Sequence, residues 1–587
     1  MKNRLILLLS LLAVSTALFA APARKGLVPR TQPDGTTIMV RLHGDEFGHW
    51  LTDASGNLLA KDSDGFLRPV ADGGIAIRQN GERASARRAA ANRRRAQRAG
   101  SSANFGSPRI PVILVGFKDL AFTKTAEQFD AMLNQRGYTD NDAIGSVYDY
   151  FNENSFGKFT PQFDVLGPVR TNYTMAYYGE NISSDEDRKP EMALVHALLA
   201  LDDQVDFSVY DNDHDGNVEF VIFYFAGYDE AQWGPDDAIW SHAWTLQASS
   251  EARDSSTYDG VKFCDYFCTA ELYGNKGSTM CHIGTTCHEF SHTLGLPDFY
   301  DADYNRNGNA ANTYDFDLMS NGSYNSEGTV PPYLNAEEVW EVGWLDEIPL
   351  LPGKGSYDLP AVNHSGAESY YAYQVNTTNS GEYFILETRS GPRWDKPLPS
   401  GMLAYHVDRS NTRVGNTTAI RSWDSNTVNN YSSHPCCYII QPSNQSSTAE
   451  YSQSSMKPLV FPGSSGVTAL DLYGWDGLAN DLCLKDISYS GGSTSFVVKS
   501  TNSMEATGYG YILNPGNGVY QSGDSFELVF VAGDGNRVPD GNISWYFDDE
   551  PVSVSEITLT AGTHTVEAMF TTKEGKRKSV SLTLKVN

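Results

Sequence analysis

Beyond residue 19 the chain has no apolar run of the ~20 residues that a membrane-spanning helix needs, its C-terminal end included. Cysteine is scarce: there are seven in 587 residues, none before Cys264 and none in the tight CxxC pairs of zinc ribbons. Positive charge is also thin and unevenly placed. Residues 1–100 hold 16 of the 44 Lys and Arg but 8 of the 72 Asp and Glu, leaving 28 basic against 64 acidic residues in the remainder. So acidic a remainder excludes nucleic-acid binding by bulk electrostatics and suits an extracellular, calcium-binding protein. No solenoid-type repeat is present.

What is present is a modular chain. Lys2 and Arg4, the apolar run Leu5–Phe19 and the small residues Ala20, Ala21 and Ala23 predict a secretory signal peptide over 1–21. Export permits disulfides, so Cys264, Cys268, Cys281, Cys287, Cys436, Cys437 and Cys483 are expected to be paired or buried as thiols. Residues 22–104 read as a propeptide. Turn signals at Gln32-Pro33-Asp34-Gly35 and Asp62-Ser63-Asp64-Gly65 punctuate short β-like runs. An arginine-rich stretch (Arg83, Arg87, Arg88, Arg93, Arg94, Arg95, Arg98) then ends the unit as a cleavable linker.

From 105 to 345 strand-like runs (Ile110–Phe117, Val218–Phe225) alternate with helix-like ones (Gly145–Asn152, Glu191–Leu201), which predicts an α/β layer. After Trp344 the helical patterns stop. Residues 346–503 predict a β-rich unit, and 504–587, with runs at Ser525–Val531, Ile543–Phe547, Thr563–Phe570 and Ser579–Val586, an immunoglobulin-like β-sandwich.

The chemistry is carried by His288-Glu289-Phe290-Ser291-His292. Residues four apart share a helix face, so both imidazoles can reach one metal ion while Glu289 stands beside it. Ile283, Cys287, Phe290 and Leu294 would bury the opposite side. Gly295 and Pro297 predict the helix end, and the turn there can bring Asp298 back as a third ligand. Two imidazoles and a carboxylate leave a fourth zinc position for water, the arrangement of a catalytic site. Zinc would bring the pKa of that water to roughly 7, with Glu289 as general base and then as proton donor to the leaving amine.

The run HEFSHTLGLPDFYD, followed by Asp317-Leu318-Met319-Ser320, resembles the immune-inhibitor-A-type secreted metalloproteases, a metzincin-related group with the pattern HExxHxxGxxD and a methionine turn. Further likenesses are TQPDGTTIMVRLHGDE from Thr31, Ser155-Phe156-Gly157-Lys158, Trp340–Trp344, Glu382–Arg389 and GMLAYHVD from Gly401, so that the resemblance covers residues 25 to 500. One departure is Ser291, where the family usually has Gly. The resemblance implies a multidomain protein with a metzincin-like catalytic domain, zinc ligands His288, His292 and Asp298, base Glu289 and Met-turn residue Met319. Tyr324 is the downstream candidate for stabilising the oxyanion.

A second metal motif is Asp211-Asn212-Asp213-His214-Asp215-Gly216-Asn217-Val218-Glu219. Asp211, Asp213, Asp215, a carbonyl from Val218 and Glu219 predict a structural calcium loop, although Ile222 stands where an EF-hand has its bidentate glutamate. Asp301, Asp303, Asn305 and Asn307 form a weaker candidate of the same kind. With no cysteine in the propeptide, latency cannot use a zinc-bound thiolate; His43, Asp45 and Glu46 are candidates for the open position instead, and all three can equally be turn residues. The functional expectation is a secreted zinc endopeptidase made as a proenzyme, acting on protein or peptide substrates. Against it stands an adhesin or glycan-binding reading, in which the β-rich half binds and the protease-like unit is scaffold; a scaffold has no need of Glu289.

Overall fold

A computed structural model describes residues 22–24, 26–45, 48–70, 101–181, 187–302, 310–362, 370–442, 456–475, 479–500, 510–513, 519–532, 543–571 and 577–587. The expected signal peptide, the arginine-rich stretch, Glu46, and Asp303, Asn305 and Asn307 lie outside these residues.

The N-terminal unit is an antiparallel meander of β1 (Val28–Thr31), β2 (Thr37–Asp45), β3 (Gly48–Asp53), β4 (Leu58–Lys61) and β5 (Leu67–Pro69). Asp34 and Asp62 make its tight turns by accepting from the backbone N–H of Thr36 and Phe66. Val40, Leu42 and Leu59 bury its apolar side against Ala231, Trp233 and Trp240.

Next comes a mixed α/β region. Its helices are α1 (Ala126–Asn134), α2 (Val147–Asn154), α3 (Met175–Gly179), α4 (Pro190–Leu201), α5 (Ser250–Asp254), α6 (Ile283–Leu294) and α7 (Ala336–Glu341). The strands are β6 (Arg109–Gly116), β7 (Gln162–Arg170), β8 (Asn217–Val218), β9 (Ile222–Tyr228), β10 (His242–Thr245), β11 (Thr257–Tyr258), β12 (Val261–Phe263) and β13 (Asp265–Leu272). The main sheet runs β10-β13-β9-β6-β7, parallel except at the antiparallel edge strand β10.

Successive side chains of a strand point to opposite faces. Ile110, Val112 and Leu114 of β6, with Ile222 and Tyr224 of β9, therefore pack with α6 on one side. Ile113, Val115, Phe223 and Phe225 pack with α4 on the other. The run expected as one strand over Val218–Phe225 is two: β8 joins β11 and β12 in a small separate sheet, and the main-sheet strand begins only at Ile222.

The downstream β-rich sheets contain β14 (Gly355–Pro360), β15 (Ala372–Asn376), β16 (Glu382–Arg389), β17 (Gly401–Asp408), β18 (Arg413–Val414), β19 (Thr417–Thr418), β20 (Cys437–Ile439), β21 (Leu470–Tyr473), β22 (Ala479–Ser490) and β23 (Ser493–Ser500). In the sheet β15-β16-β17-β20, every residue of β16 and β17 is buried, because the sheet is covered on both sides. Tyr383, Ile385, Leu403, Tyr405 and Val407 face the α/β core, so one hydrophobic core runs across residue 345. Phe384, Leu386, Met402 and Ala404 face the second sheet, β14-β23-β22-β21.

The expectation that helices stop after Trp344 needs correction. Helix α8 (Ala419–Asp424) follows β19, and its Trp423 ring packs edge-on to Phe299 at 5.4 Å. At the C-terminal end, strands Ile543–Phe547, Gly562–Thr571 and Arg577–Val586 adjoin in a five-stranded sheet around Trp545, Val566, Ala568 and Leu584. Among the described residues no helix is long and apolar enough to cross a membrane. All seven cysteines are buried thiols.

Candidate metal centre

Helix α6 carries the histidines and ends as its sequence requires. Gly295 takes φ 116°, which an L side chain rarely adopts, and the Leu296 N–H donates back to the Ser291 carbonyl at 3.1 Å. The helix is held close to residues 322–328: a methyl group on Gly284 would lie 2.0 Å from the Ser323 carbonyl oxygen. Its core side is fixed by Phe290, fully buried against Phe151, Phe220, Phe163, Phe267 and Phe159 at centroid distances of 5.1, 5.4, 5.9, 5.9 and 6.1 Å. The polar side is not a solvent-facing stripe. Among the residues of the helix only Thr293 is not buried.

His288 donates from Nδ1 to the Leu318 carbonyl at 2.8 Å, and His292 from Nδ1 to the Leu296 carbonyl at 2.9 Å. A carbonyl can only accept, so Nδ1 carries a proton in both rings and, in the neutral form, Nε2 is the nitrogen left to bind a metal. Both Nε2 atoms lie 3.4 Å from Oδ1 of Asp298. His288 Nε2 and Asp298 Oδ1, though buried, have no hydrogen-bond partner. The three ligand atoms lie within 4.8 Å of one another. Two donors each about 2.0–2.1 Å from a tetrahedral zinc stand about 3.4 Å apart, so the residues fit that ion.

The local charges act in opposite directions on the two rings. Burial opposes protonation of His288, but the Asp298 carboxylate and the Glu289 charge outweigh it and push the ring up to about 9. Burial pulls His292 below its ordinary value despite Asp298. Asp298 is held below the usual carboxylate range by His292 and His288, against the effect of burial. Glu289 is fully buried on the same helix, next to His288.

Met319 is fully buried in the turn that follows Asp317. Its N–H donates to Asp317 Oδ1 at 2.7 Å and its carbonyl accepts from Phe299 N–H at 2.7 Å, while the preceding carbonyl, of Leu318, holds His288. This turn thus contacts the segments that carry His288 and Asp298. Tyr324 stands in the segment against α6, and burial together with the charges of Asp229 and Glu289 raises its pKa well above the ordinary value. Its hydroxyl donates to the Pro22 carbonyl at 2.8 Å, and Arg24 pairs with Glu327 at 2.5 Å. His43 hydrogen-bonds Thr52 at 2.9 Å and stacks on Trp50.

Asp211, Asp213, Asp215 and Glu219 bring carboxylate oxygens within 4.8 Å of one another. Asp211 accepts from the N–H groups of Asp215 and Gly216, and Glu219 from that of Asn212, which closes the loop on itself. Counted from Asp211, the carbonyl of the seventh loop position belongs to Asn217, so Asn217 takes the place expected of Val218, a buried residue of β8.

Asn426 was not legible in the sequence. It accepts from the Asp298 N–H at 2.6 Å and donates to Asp298 Oδ2 at 2.7 Å. No motif marks it, and its contact spans 128 residues.

An α/β region with a buried His-His-Asp group and a neighbouring glutamate defines a metallopeptidase-like catalytic domain, and comparison with known proteins agrees. Residues 118–338 match the family described as immune inhibitor A peptidase M6, catalytic domain. It is 29% identical over 219 residues to Immune inhibitor A of Bacillus thuringiensis subsp. alesti, covering 33% of this chain and 31% of that one. It is 27% identical over 225 residues to Pre-pro-metalloprotease PrtV of Vibrio cholerae serotype O1 (strain M66-2), covering 34% of this chain and 24% of that one. The chain thus spans less than a third of the length of these relatives. Among solved structures, wild-type OgpA from Akkermansia muciniphila aligns over 82% of this chain and 92% of that one at 10% identity, with a TM-score of 0.21, too slight a likeness to bear on the fold.

Proposed function

We propose that the protein is a secreted zinc-dependent metalloendopeptidase, made as a proenzyme and hydrolysing protein or peptide substrates. The observation that carries this reading is the pair of 3.4 Å approaches of His288 and His292 Nε2 to Asp298 Oδ1, with Glu289 on the same helix. His288, His292 and Asp298 would hold the ion. Zinc would supply the Lewis acidity that activates water and polarises a peptide carbonyl. Glu289 takes the proton from the attacking water and passes it to the leaving amine. Met319 packs in the turn beneath the ligands, and Tyr324 donates a hydrogen bond to the developing oxyanion.

The architecture proposed around this site is a signal peptide over 1–21, a propeptide over 22–104, a metzincin-like catalytic domain over 105–345, a β-rich domain over 346–503 and an immunoglobulin-like sandwich over 504–587. Calcium held by Asp211, Asp213, Asp215 and Glu219 would tie down the loop before β8. Latency is supported by the contacts of Pro22 and Arg24 with Tyr324 and Glu327. Cleavage in the stretch Arg83–Arg98 would release it.

The test is casein hydrolysis by the processed protein, with and without a zinc chelator, beside Glu289→Ala. Chelation is expected to abolish cleavage, and the variant to lose at least about a hundredfold in rate while retaining its metal. Equal activity of variant and parent would end the mechanism.

A further inference from the structure

The third ligand is presented by the turn after α6, and that turn is gripped from the far side of residue 345. Three asparagines in the loop that follows α8 make the grip. Asn426 bonds both the backbone N–H and Oδ2 of Asp298; Asn429 donates to the Phe299 carbonyl at 2.8 Å; Asn430 accepts from the Ala302 N–H at 3.3 Å. The loop is itself anchored. Trp423 donates to the Asp408 carbonyl at 2.8 Å, and the Arg409 guanidinium, 3.7 Å from a Trp423 ring centroid, pairs with Glu337 and Glu341 of α7 at 2.6 Å each.

Among these contacts only Asn426 touches a ligand side chain. A carboxylate has two oxygens; Asn426 engages Oδ2 and leaves Oδ1 directed at His288 and His292. Asn426 sits at φ 55°, a backbone conformation asparagine tolerates better than most residues, and this follows from its place just after the helix end. A neutral amide suits the task. It donates to the anionic ligand without bringing a charge that would compete for it, whereas a lysine there would neutralise the carboxylate.

We infer that Asn426 is the positioning residue of the metal centre: it fixes which oxygen of Asp298 faces the ion, so the site is completed by the β-rich unit rather than by the family-matched region alone. The inference rests on the metal-site reading above. It ascribes to Asn426 no contact with substrate or ion.

Full-length parent, Asn426→Gly, Asn426→Asp and Asn430→Ala are titrated with Zn²⁺ against a chromophoric chelator, with circular dichroism as a check on folding. Glycine keeps the positive φ and removes both bonds to Asp298. Aspartate keeps the acceptor for the Asp298 N–H but sets an oxygen against Oδ2. Asn430→Ala loosens the same turn without touching a ligand side chain. Both Asn426 variants are expected to raise the Zn²⁺ dissociation constant about 10–100-fold, with Asn430→Ala within about threefold of the parent. Asn426 variants that bind like the parent would overturn the inference, as would an equal loss in Asn430→Ala. A parent that binds no zinc would overturn the metal-site reading, and this inference with it.

Discussion

Replacing Phe290 with alanine tests whether the aromatic packing behind α6 holds the ligands in register. The ring is fully buried and touches five other phenylalanines, three from strands or their flanks (Phe163, Phe220, Phe267) and two from α2 and the loop after it (Phe151, Phe159). A large-to-small change at such a site costs about 3–5 kcal/mol, transfer loss and cavity together. That is a large share of the ~5–15 kcal/mol typical of a folded domain. Phe290→Leu keeps most of the volume and is expected to lose under about 2 kcal/mol. Urea unfolding of zinc-saturated protein followed by tryptophan fluorescence reads both values, since Trp344 stacks on Phe159 at 5.7 Å. A loss below about 1 kcal/mol for Phe290→Ala would mean that the helix does not depend on this packing, and the reasoning would fail.

Gly284→Ala drives a methyl group to 2.0 Å from the Ser323 carbonyl, so α6 and the Tyr324 segment must separate. The expected cost is at least about 1–3 kcal/mol, with weaker zinc binding, and an unchanged unfolding midpoint would contradict it. Asp317 and Glu338 form a buried carboxyl pair. Burial raises both, to about 6 for Asp317, and Glu338 is lifted further by the Asp317 charge. Both folded-state values exceed the unfolded ones, so the native state binds more protons and stability falls as pH rises from the unfolded carboxyl range through the folded values. Glu338→Gln removes one of the two titrating groups. Its melting temperature should fall less than the parent's between pH 5 and pH 8, and parallel profiles would refute the assignment of this pH dependence to the pair.

The sequence announced those parts of the site that lie close together in the chain. Helix α6, its glycine stop and the return of Asp298 are consequences of local periodicity and of one residue at positive φ, so sixteen consecutive residues contain them. Helix burial was harder to read. A pattern with His288, Glu289 and His292 on one side reads as a stripe facing a cleft, and only the fold shows that all three are buried. Asn426 lies further out of reach, because hydrogen bonding between residues distant in sequence leaves no periodic trace. Helix α8 escaped for a related reason: its six residues are too few to show a helical repeat, and Trp423 is buried by tertiary contacts. The split between β8 and β9 was hidden because Val218 and Phe220–Phe225 are all buried, and an unbroken apolar run conceals a change of sheet.

The most direct measurement is the zinc content of the purified protein after dialysis against metal-free buffer, compared with His292→Ala and Asp298→Ala. One zinc per chain in the parent, lost in both variants while calcium content is unchanged, is the predicted result. Zinc retained equally by all three proteins would place the ion elsewhere and contradict the account.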